Sequence, residues 1–261
     1  MRPILLVDIG NTSVHFMSAS GRTLGVEKRL PTTRLGGGDG RRMLRSLGGR
    51  GSTLIAASVV PSASRALRAH CKALGIECSL AGEDVAIPLR NNYTVPAQVG
   101  KDRLLNALAA HRIHRKDCIV IDYGTAITFD VVTREGVYEG GLIAPGVEIS
   151  IDALSSRTAL LPHIRLAHPK RLIGKDTVES IRSGCAYGIG GLCDRIVERL
   201  RSDWSSRARV IATGGYARFM QRYCSAIQSV DEYLVPKGLL ITYYESRLHQ
   251  PPPPAILRKN I

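Results

Sequence analysis

The feature that most constrains the fold of this chain is a pattern that occurs twice. Residues Leu5–Phe16 read LLVDIGNTSVHF, and residues Cys118–Asp130 read CIVIDYGTAITFD. Each apolar run predicts a core strand that ends in aspartate, and the glycine and small polar residues after it predict a turn into a second strand. Because the pattern returns about halfway along the chain, the sequence indicates two matching halves.

Each half then continues in the same way, with a third strand followed by alternating helices and strands. In the first half we expect strands at 4–8, 13–18, 24–30 and 53–60, and helices at about 41–47, 62–74 and 102–115. In the second half we expect strands at 119–122, 126–132, 137–143 and 209–212, and helices from 147, at 177–203, from about 216 and at 239–248. Antiparallel strands followed by helical crossovers predict an α/β fold with a mixed sheet flanked by helices in each half, and a cleft between the halves.

We place the boundary between the two predicted domains near the end of the helix at 102–115. This gives an N-terminal domain at 1–116 and a C-terminal domain at 117–249. The remaining segment, 250–261, contains four consecutive prolines and is expected to be an extended tail outside the core.

The composition narrows the classes of partner. The formal net charge is +14, but the basic residues are scattered and the chain has only nine Tyr, three Phe and one Trp. No aromatic residues are interleaved with basic ones in the manner of a nucleic-acid-binding motif. The positive charge then reflects either attraction of an anionic small molecule or a generally basic proteome, and we consider nucleic acid an unlikely main ligand.

The apolar runs and the cysteines indicate where in the cell the protein works. No apolar run reaches the length that a membrane-spanning helix requires, and the N-terminus lacks the apolar stretch of a signal peptide. The six cysteines include no CxxC pair, so we expect reduced, packed thiols rather than a metal site or disulfides. These features predict a cytoplasmic protein without a membrane segment.

The two turns have the composition of phosphate-binding sites. Glycine and small residues let backbone N–H groups approach a ligand, and an aspartate beside them can hold a cation that bridges to phosphate oxygens. The alternative is a hairpin whose aspartate caps its own turn. Two such turns at matching places favour a ligand between them, with Asp8, Gly10, Asn11, Thr12 and Ser13 on one side and Asp122, Gly124 and Thr125 on the other.

Six stretches together resemble a known family. They are DIGNT (Asp8–Thr12), YxxPxxVGxDR (Tyr93–Arg103), DYGTAITFD (Asp122–Asp130), GGLIAPG (Gly140–Gly146), DTVESIRSG (Asp176–Gly184) and ATGG (Ala212–Gly215). The two Asp-Gly turns resemble those of the actin, sugar-kinase and Hsp70 ATPase superfamily. Within that superfamily, the motifs and their order resemble type III pantothenate kinases and cover almost the whole chain up to about Leu248.

The resemblance implies a fold of duplicated ribonuclease-H-like domains, as in actin-like ATPases. It implies ATP-dependent phosphorylation of pantothenate to 4'-phosphopantothenate, the first step of coenzyme A biosynthesis, by a homodimer. It also implies Mg²⁺ and a monovalent cation, potassium or ammonium, as cofactors.

The resemblance further assigns roles to residues. Asp102 is the expected general base, and Asp122 the expected ligand of the monovalent cation. The expected pantothenate-binding residues are Tyr93, Gly100, Lys101, Asp102, Arg103 and Thr177. The expected ATP-binding residues are Asp8, Ile9, Gly10, Asn11, Thr12, Ser13, Val14, His15 and Thr125.

The sequence supports the role of Asp102 and leaves that of Lys101 open. The first turn of a helix stabilises a carboxylate and keeps it ionised, which suits a proton acceptor. Many family members have a small residue where this chain has Lys101. A lysine close to Asp102 lowers the pKa of that carboxyl and can also reach a phosphate; the alternative is a side chain that points into solvent.

Two other functions remain possible at this stage. A different phosphotransferase or phosphohydrolase on the same fold would share the phosphate turns without requiring the VGxDR motif. A non-catalytic regulatory protein would bind nucleotide or nucleic acid without turnover. The spacing of His111 and His114 also suits a metal ligand pair, but no third ligand lies nearby in the sequence, so we expect a solvated helix end.

Overall fold

The computed structural model describes residues 3–248, so the predicted proline-rich segment 250–261 lies outside the described residues. The first half contains β1 (Ile4–Ile9), β2 (Ser13–Ser20), β3 (Thr23–Leu24), β4 (Lys28–Pro31), α1 (Gly38–Leu47), β5 (Thr53–Ser58), α2 (Pro61–Leu74), β6 (Glu77–Leu80), β7 (Arg90–Asn91) and α3 (Lys101–His114). The second half contains β8 (Cys118–Tyr123), β9 (Ala126–Val132), β10 (Val137–Pro145), α4 (Val147–Ser156), α5 (Thr177–Asp203), β11 (Arg209–Thr213), α6 (Ala217–Met220), β12 (Ser229–Val230) and α7 (Leu234–Leu248).

The strands form two sheets with matching topology. The first has the order β3-β2-β1-β5-β6, with β4 also paired to β2, and the second has the order β12-β11-β8-β9-β10-β7. β1 and β8 occupy equivalent positions, since each is antiparallel to the next strand in sequence and parallel to the strand after the crossover, β5 or β11. The predicted duplication of a mixed sheet flanked by helices is confirmed.

Both aspartate turns lie at the carboxyl edges of parallel strands. Ile9 at the end of β1 is paired with Ser58 of β5, and Asp122 of β8 is paired with Thr213 of β11. Ligands of open α/β sheets bind at these edges, because loops there are free to present backbone and side-chain groups.

Burial on both faces explains why β1 reads as a continuous apolar run. Leu5 and Val7 belong to the apolar cluster that includes residues of α1 and α2, whereas Ile4 and Leu6 belong to the cluster that includes residues of α7. Full burial of one such side chain stabilises a fold by about 1.5–3 kcal/mol, so a strand buried on both faces anchors the turn that follows it.

Helices α3 and α7 connect the two sheets. Leu105 of α3 packs in the cluster of the first sheet together with Leu239 of α7, and Leu104 of α3 packs in a cluster of the second sheet. Gly238 allows the close approach of the two helices, because a Cβ there would overlap the backbone carbonyl of Leu105. The boundary between residues 116 and 117 stays a prediction.

The third predicted strand, 24–30, is wrong as a continuous element. The structure has two short strands, β3 and β4, separated by irregular residues 25–27. Leu24 of β3 is paired with Ala19 and Lys28 of β4 with Phe16, so the three residues 25–27 lie opposite only two residues of β2, and this one-residue shift in register breaks the ladder. Helix α1 also begins at Gly38 and α7 at Leu234, earlier than expected. Among residues 3–248, no helix is both long enough and apolar enough to cross a membrane.

Candidate active site

The structure brings the two aspartate turns into contact. The hydroxyl of Thr12 lies 3.2 Å from the hydroxyl of Thr125, although the two residues come from opposite halves of the chain. In the first turn, the amide of Gly10 donates to the carbonyl of Ser13. Within the described part of the chain, the amides of Asn11 and Thr12 donate to no other group, so they are available to an anion.

The side chains in and around the first turn point to different faces of the sheet. Ile9 and Val14 are fully buried in the core, so only their backbone atoms can contact a nucleotide. Asp8 is paired with His15 across the β1–β2 ladder, so the two side chains lie on the same face of the sheet. Ser13 shares that face because side chains two residues apart in a strand point the same way.

Several carboxylates repel one another in the cleft. Burial, followed by the charges of Asp102, Asp122 and Glu27, raises the pKa of Asp8 to about 8. Burial and the charge of Asp102 likewise raise the pKa of Asp122 to about 7, against the hydrogen bond from the side-chain amide of Asn106, 2.9 Å from Oδ2 of Asp122. Such a concentration of negative charge is favourable only with a cation nearby.

The oxygen ligands of this site suit a cation whose coordination shell is completed by phosphate oxygens. Within residues 3–248, no three His, Cys, Asp or Glu side chains lie close enough together to hold a metal alone. Mg²⁺ is usually bound by one or two carboxylates, with waters and substrate phosphates completing its shell. The carbonyl oxygen of Asn106 is buried without a hydrogen-bond partner and adds an oxygen beside Asp122. His111 and His114 belong to no metal-binding group in the described chain.

Two glycine turns close around the second aspartate turn. A Cβ at Gly146 would overlap the carbonyl of Thr125, and a Cβ at Gly214 would overlap Oδ1 of Asp122. Gly214 also has a left-handed backbone, with φ of 88°, which side chains other than hydrogen rarely tolerate. The predicted glycine motifs therefore lie against Asp122 and Thr125, where only backbone fits.

We expect Gly214→Ala to cost the protein activity and Gly215→Ala to cost little. The alanine at 214 must displace Asp122 and adopt a strained backbone, at about 1–3 kcal/mol. At Gly215 a Cβ would meet nothing within 4 Å, so this neighbour is a matched control. Kinetics as a function of ATP concentration, together with thermal unfolding, would distinguish the variants. Equal kinetics in both would contradict the assigned role of Gly214.

Asp102 lies in the first turn of α3. Its Oδ1 accepts a hydrogen bond of 2.9 Å from the amide of Arg103. Burial raises the pKa of Asp102 above its ordinary value, while this hydrogen bond and the charge of Arg103 oppose the rise. The side chain of Lys101 lies against Gly82. This contact gives the Lys101 side chain a neighbour other than Asp102, and the role of Lys101 stays a prediction.

The neighbouring Arg103 is held by a buried network. Its Nε donates to Oδ1 of Asp130 at 2.7 Å, the hydroxyl of Tyr138 donates to the same oxygen at 2.9 Å, and Thr128 donates to Oδ2 at 2.9 Å. Burial raises the pKa of Asp130 to about 6 although all three partners lower it. The Nη2 atom of Arg103 is buried and has no hydrogen-bond partner, so a donor is left for a ligand.

The other residues predicted to bind pantothenate differ in how close they lie to Asp102 and Arg103. The ring of Tyr93 lies 3.5 Å from the position of a Cβ at Gly140, and 6.4 Å from the ring of Tyr138, so it joins the surroundings of Arg103. Gly100 precedes α3, and a Cβ there would overlap Oδ1 of Asp102. Thr177 is exposed at the start of α5, and its place in the pantothenate site stays a prediction.

The sequence patterns did not single out three polar residues that lie near the site: Asp130, Asn106 and Glu27. Asp130 had a usable signal, because a carboxylate in the middle of the apolar run ITFDVV must be paired when the strand is buried. Asn106 lies four residues after Asp102, hence on the same face of α3. Glu27 lies in the irregular segment that the prediction treated as strand.

Comparisons with known proteins agree with this geometry. The family model described as type III pantothenate kinase matches residues 4–199. A protein named type III pantothenate kinase from Syntrophotalea carbinolica is 36% identical over 253 residues, covering 94% of this chain and 99% of its own. One with the same name from Rhodospirillum rubrum is 39% identical over 259 residues, covering 95% and 99%.

Solved structures show the same fold at low sequence identity. A putative 2-dehydro-3-deoxygalactonokinase from Sinorhizobium meliloti has a TM-score of 0.63 at 13% identity, over 97% of this chain and 99% of its own. An archaeal actin homolog has a TM-score of 0.53 at 12% identity, over 94% and 100%. The fold is thus that of actin-like ATPases and sugar kinases, and the sequence matches show that this chain belongs to the type III pantothenate kinase family.

Proposed function

We propose that this protein transfers the terminal phosphoryl group of ATP to the hydroxyl of pantothenate, yielding 4'-phosphopantothenate for coenzyme A biosynthesis. The observation that carries the proposal is the contact between the two phosphate turns, with Thr12 and Thr125 3.2 Å apart and Asp102 in the same cleft. This arrangement offers the phosphates backbone donors from the first half and the Thr125 hydroxyl from the second, and it offers a carboxylate to an attacking hydroxyl.

The chain's own residues supply positioning and proton transfer. The free amides of Asn11 and Thr12 would donate to phosphate oxygens, and Gly214 and Gly146 let the opposite wall approach closely. Asp102 accepts the proton of the pantothenate hydroxyl as it attacks. Phosphoryl transfer requires little further covalent chemistry, because most of the catalysis is alignment and charge stabilisation.

Arg103 is the proposed ligand of the pantothenate carboxylate. Its Nε is engaged by Asp130, which fixes the guanidinium plane, while the buried Nη2 lacks an acceptor. A substrate carboxylate would satisfy that donor in a charge-assisted hydrogen bond. Tyr93 and the backbone at Gly100 and Lys101 line the same pocket in this proposal, and Thr177 completes it.

Two cations complete the proposed site. Asp122 and the carbonyl of Asn106 would hold a monovalent cation, potassium or ammonium, and Asp8 would hold Mg²⁺. When bound, the cations neutralise the phosphates and the charge that develops on them during transfer. The raised pKa values of Asp8 and Asp122 support this assignment, since both carboxylates lack a positive partner among the described side chains.

We further propose a homodimer that works in the cytoplasm. Leu142 and Ile143 of β10 are 39% and 66% exposed, and Leu142 borders a groove of about 360 Å³ against α5. A second copy of the chain would cover these side chains, which light scattering at several protein concentrations would test. All six cysteines are free, as suits a reducing compartment.

The acid limb of the pH profile should lie above the ordinary Asp value of 3.8, because burial raises the pKa of Asp102. Only the deprotonated carboxylate accepts a proton, so kcat/KM falls as the pH drops through that raised pKa. We expect the same limb in Lys101→Ala, whose lost side chain lies against Gly82. A limb that moves to higher pH in this variant would show instead that the Lys101 charge reaches Asp102.

The direct test of the proposed function is release of ADP by the purified protein with Mg²⁺, in potassium or sodium, with and without pantothenate. Turnover that requires pantothenate and rises with potassium is the expected result. ATP hydrolysis indifferent to pantothenate would favour another phosphotransferase or a phosphohydrolase. Nucleotide binding without any turnover would favour a regulatory protein.

A further inference from the structure

A hydrogen-bonded chain of three side chains begins directly after the first phosphate turn. Oγ of Ser13 lies 2.8 Å from Nε2 of His15, and Nδ1 of His15 lies 2.8 Å from Oε1 of Glu27. Nε of Arg29 donates to the other carboxylate oxygen of Glu27 at 2.7 Å. The His15 and Glu27 side chains are only 28% and 17% exposed, so the geometry is held by the protein.

The chemistry of the three groups fixes the direction of the hydrogen bonds. Burial raises the pKa of Glu27, but the hydrogen bonds from His15 and Arg29 outweigh it and lower the pKa overall. An ionised carboxylate can only accept, so Nδ1 of His15 carries the proton that Glu27 receives. In a neutral imidazole, Nε2 is then free to accept the proton of the Ser13 hydroxyl.

Hydroxyl, imidazole and carboxylate in this order are the arrangement that activates a serine nucleophile. Glu27 reaches His15 because the chain leaves the ladder between β3 and β4, in the segment wrongly expected to be strand. Its neighbour Val26 is 82% exposed, so the break turns the carboxylate inward at the cost of an exposed apolar side chain.

The serine is placed where a nucleotide would present its phosphates. The amides of Asn11 and Thr12, which have no acceptor in the described structure, immediately precede it, and its carbonyl closes the turn by accepting from Gly10. Ser13 also lies on the same face of the sheet as Asp8, as the pairing of Asp8 with His15 requires.

We propose that Ser13 is a second phosphoryl acceptor, so that the protein phosphorylates itself on Ser13 when no acceptor alcohol is bound. Oγ of Ser13 forms a bond to the γ-phosphorus of ATP, the bond from that phosphorus to the bridging oxygen breaks, and ADP leaves. The hydroxyl proton passes to Nε2 of His15, and Glu27 stabilises the resulting imidazolium. This inference rests on the proposed function, since it requires ATP in the same turns.

The product would block its own site. A phosphoserine beside the turn places about two negative charges where the nucleotide phosphates bind, and it repels them. Each molecule would therefore react once and lose activity, and bound pantothenate would protect it by intercepting the phosphoryl group.

The test is incubation of the phosphatase-treated full chain with ATP and Mg²⁺ in the absence of pantothenate, followed by intact mass and peptide mapping. We expect a gain of one phosphoryl group, on Ser13, with parallel loss of kinase activity. Ser13→Ala should remain unmodified. His15→Gln should react about 100-fold more slowly, because it lacks the group that accepts the Ser13 proton. Ser20→Ala, at the exposed far end of β2, is the matched control and should be labelled like the parent protein.

The outcomes separate this inference from the proposed function. Pantothenate-dependent turnover with no phosphoserine, or with the label on Thr12 or elsewhere, would overturn the inference alone. The same holds if His15→Gln is folded and is labelled at the parent rate. If ATP neither binds nor turns over with pantothenate, both the proposed function and this inference fail.

Discussion

Replacing Asp102 with asparagine is expected to lower kcat by about 100- to 10,000-fold, the contribution typical of a general base. The amide is close in shape to the carboxylate but cannot accept the hydroxyl proton. The fold should persist, because Asp102 raises the pKa of both Asp8 and Asp122 and its removal relieves that repulsion. ADP release with saturating pantothenate measures kcat, and nucleotide titration with thermal unfolding measures binding and stability.

Asp39→Asn provides the control for this experiment. Asp39 is likewise the second residue of its helix, α1, but its carboxylate pairs with Arg34 on the surface. Loss of a helix-terminal charge should affect both variants alike, by about 0.3–1 kcal/mol of stability, whereas only Asp102→Asn should lose turnover. If Asp102→Asn kept kcat within about tenfold of the parent, a group other than Asp102 would have to accept the proton of the pantothenate hydroxyl.

Removing the carboxylate of Asp130 is expected to destabilise the protein by about 3–5 kcal/mol, because it leaves Arg103 buried and unpaired. The ion pair is 2.7 Å long, with side chains 10% and 0% exposed. Asp130→Ala should also raise the KM for pantothenate more than it lowers kcat, since the guanidinium loses its orientation. Urea unfolding gives the stability difference, and steady-state kinetics give the two constants.

Two further variants serve as controls for Asp130→Ala. Asp130→Asn keeps an oxygen for Arg103 and Tyr138, so it should cost less than alanine. Asp203→Ala removes a carboxylate from a pair with Arg199 whose side chains are 62% and 57% exposed, and it should change the stability little because solvent screens the pair. A stability change for Asp130→Ala no larger than that of Asp203→Ala would contradict the role of the buried pair.

Local sequence patterns were sufficient for the elements that bury apolar residues with a regular period. The strand before Asp8, the 27-residue α5 and the repeated order of strands were all readable, because apolar periodicity and turn residues are local properties. The break between β3 and β4 was not, because it depends on the registers in which both short strands pair with β2, which differ by one residue.

The duplicated α/β fold and the residues of the family motifs can be read from the sequence alone, since spacing and residue type are properties of the chain. Which of these residues meet is visible only in three dimensions. The tertiary structure places Thr12 against Thr125, pairs Arg103 with Asp130, and turns Glu27 towards His15. Contacts such as these depend on how two sheets and the helices between them pack, and a long-range packing geometry has no counterpart in any single stretch of sequence.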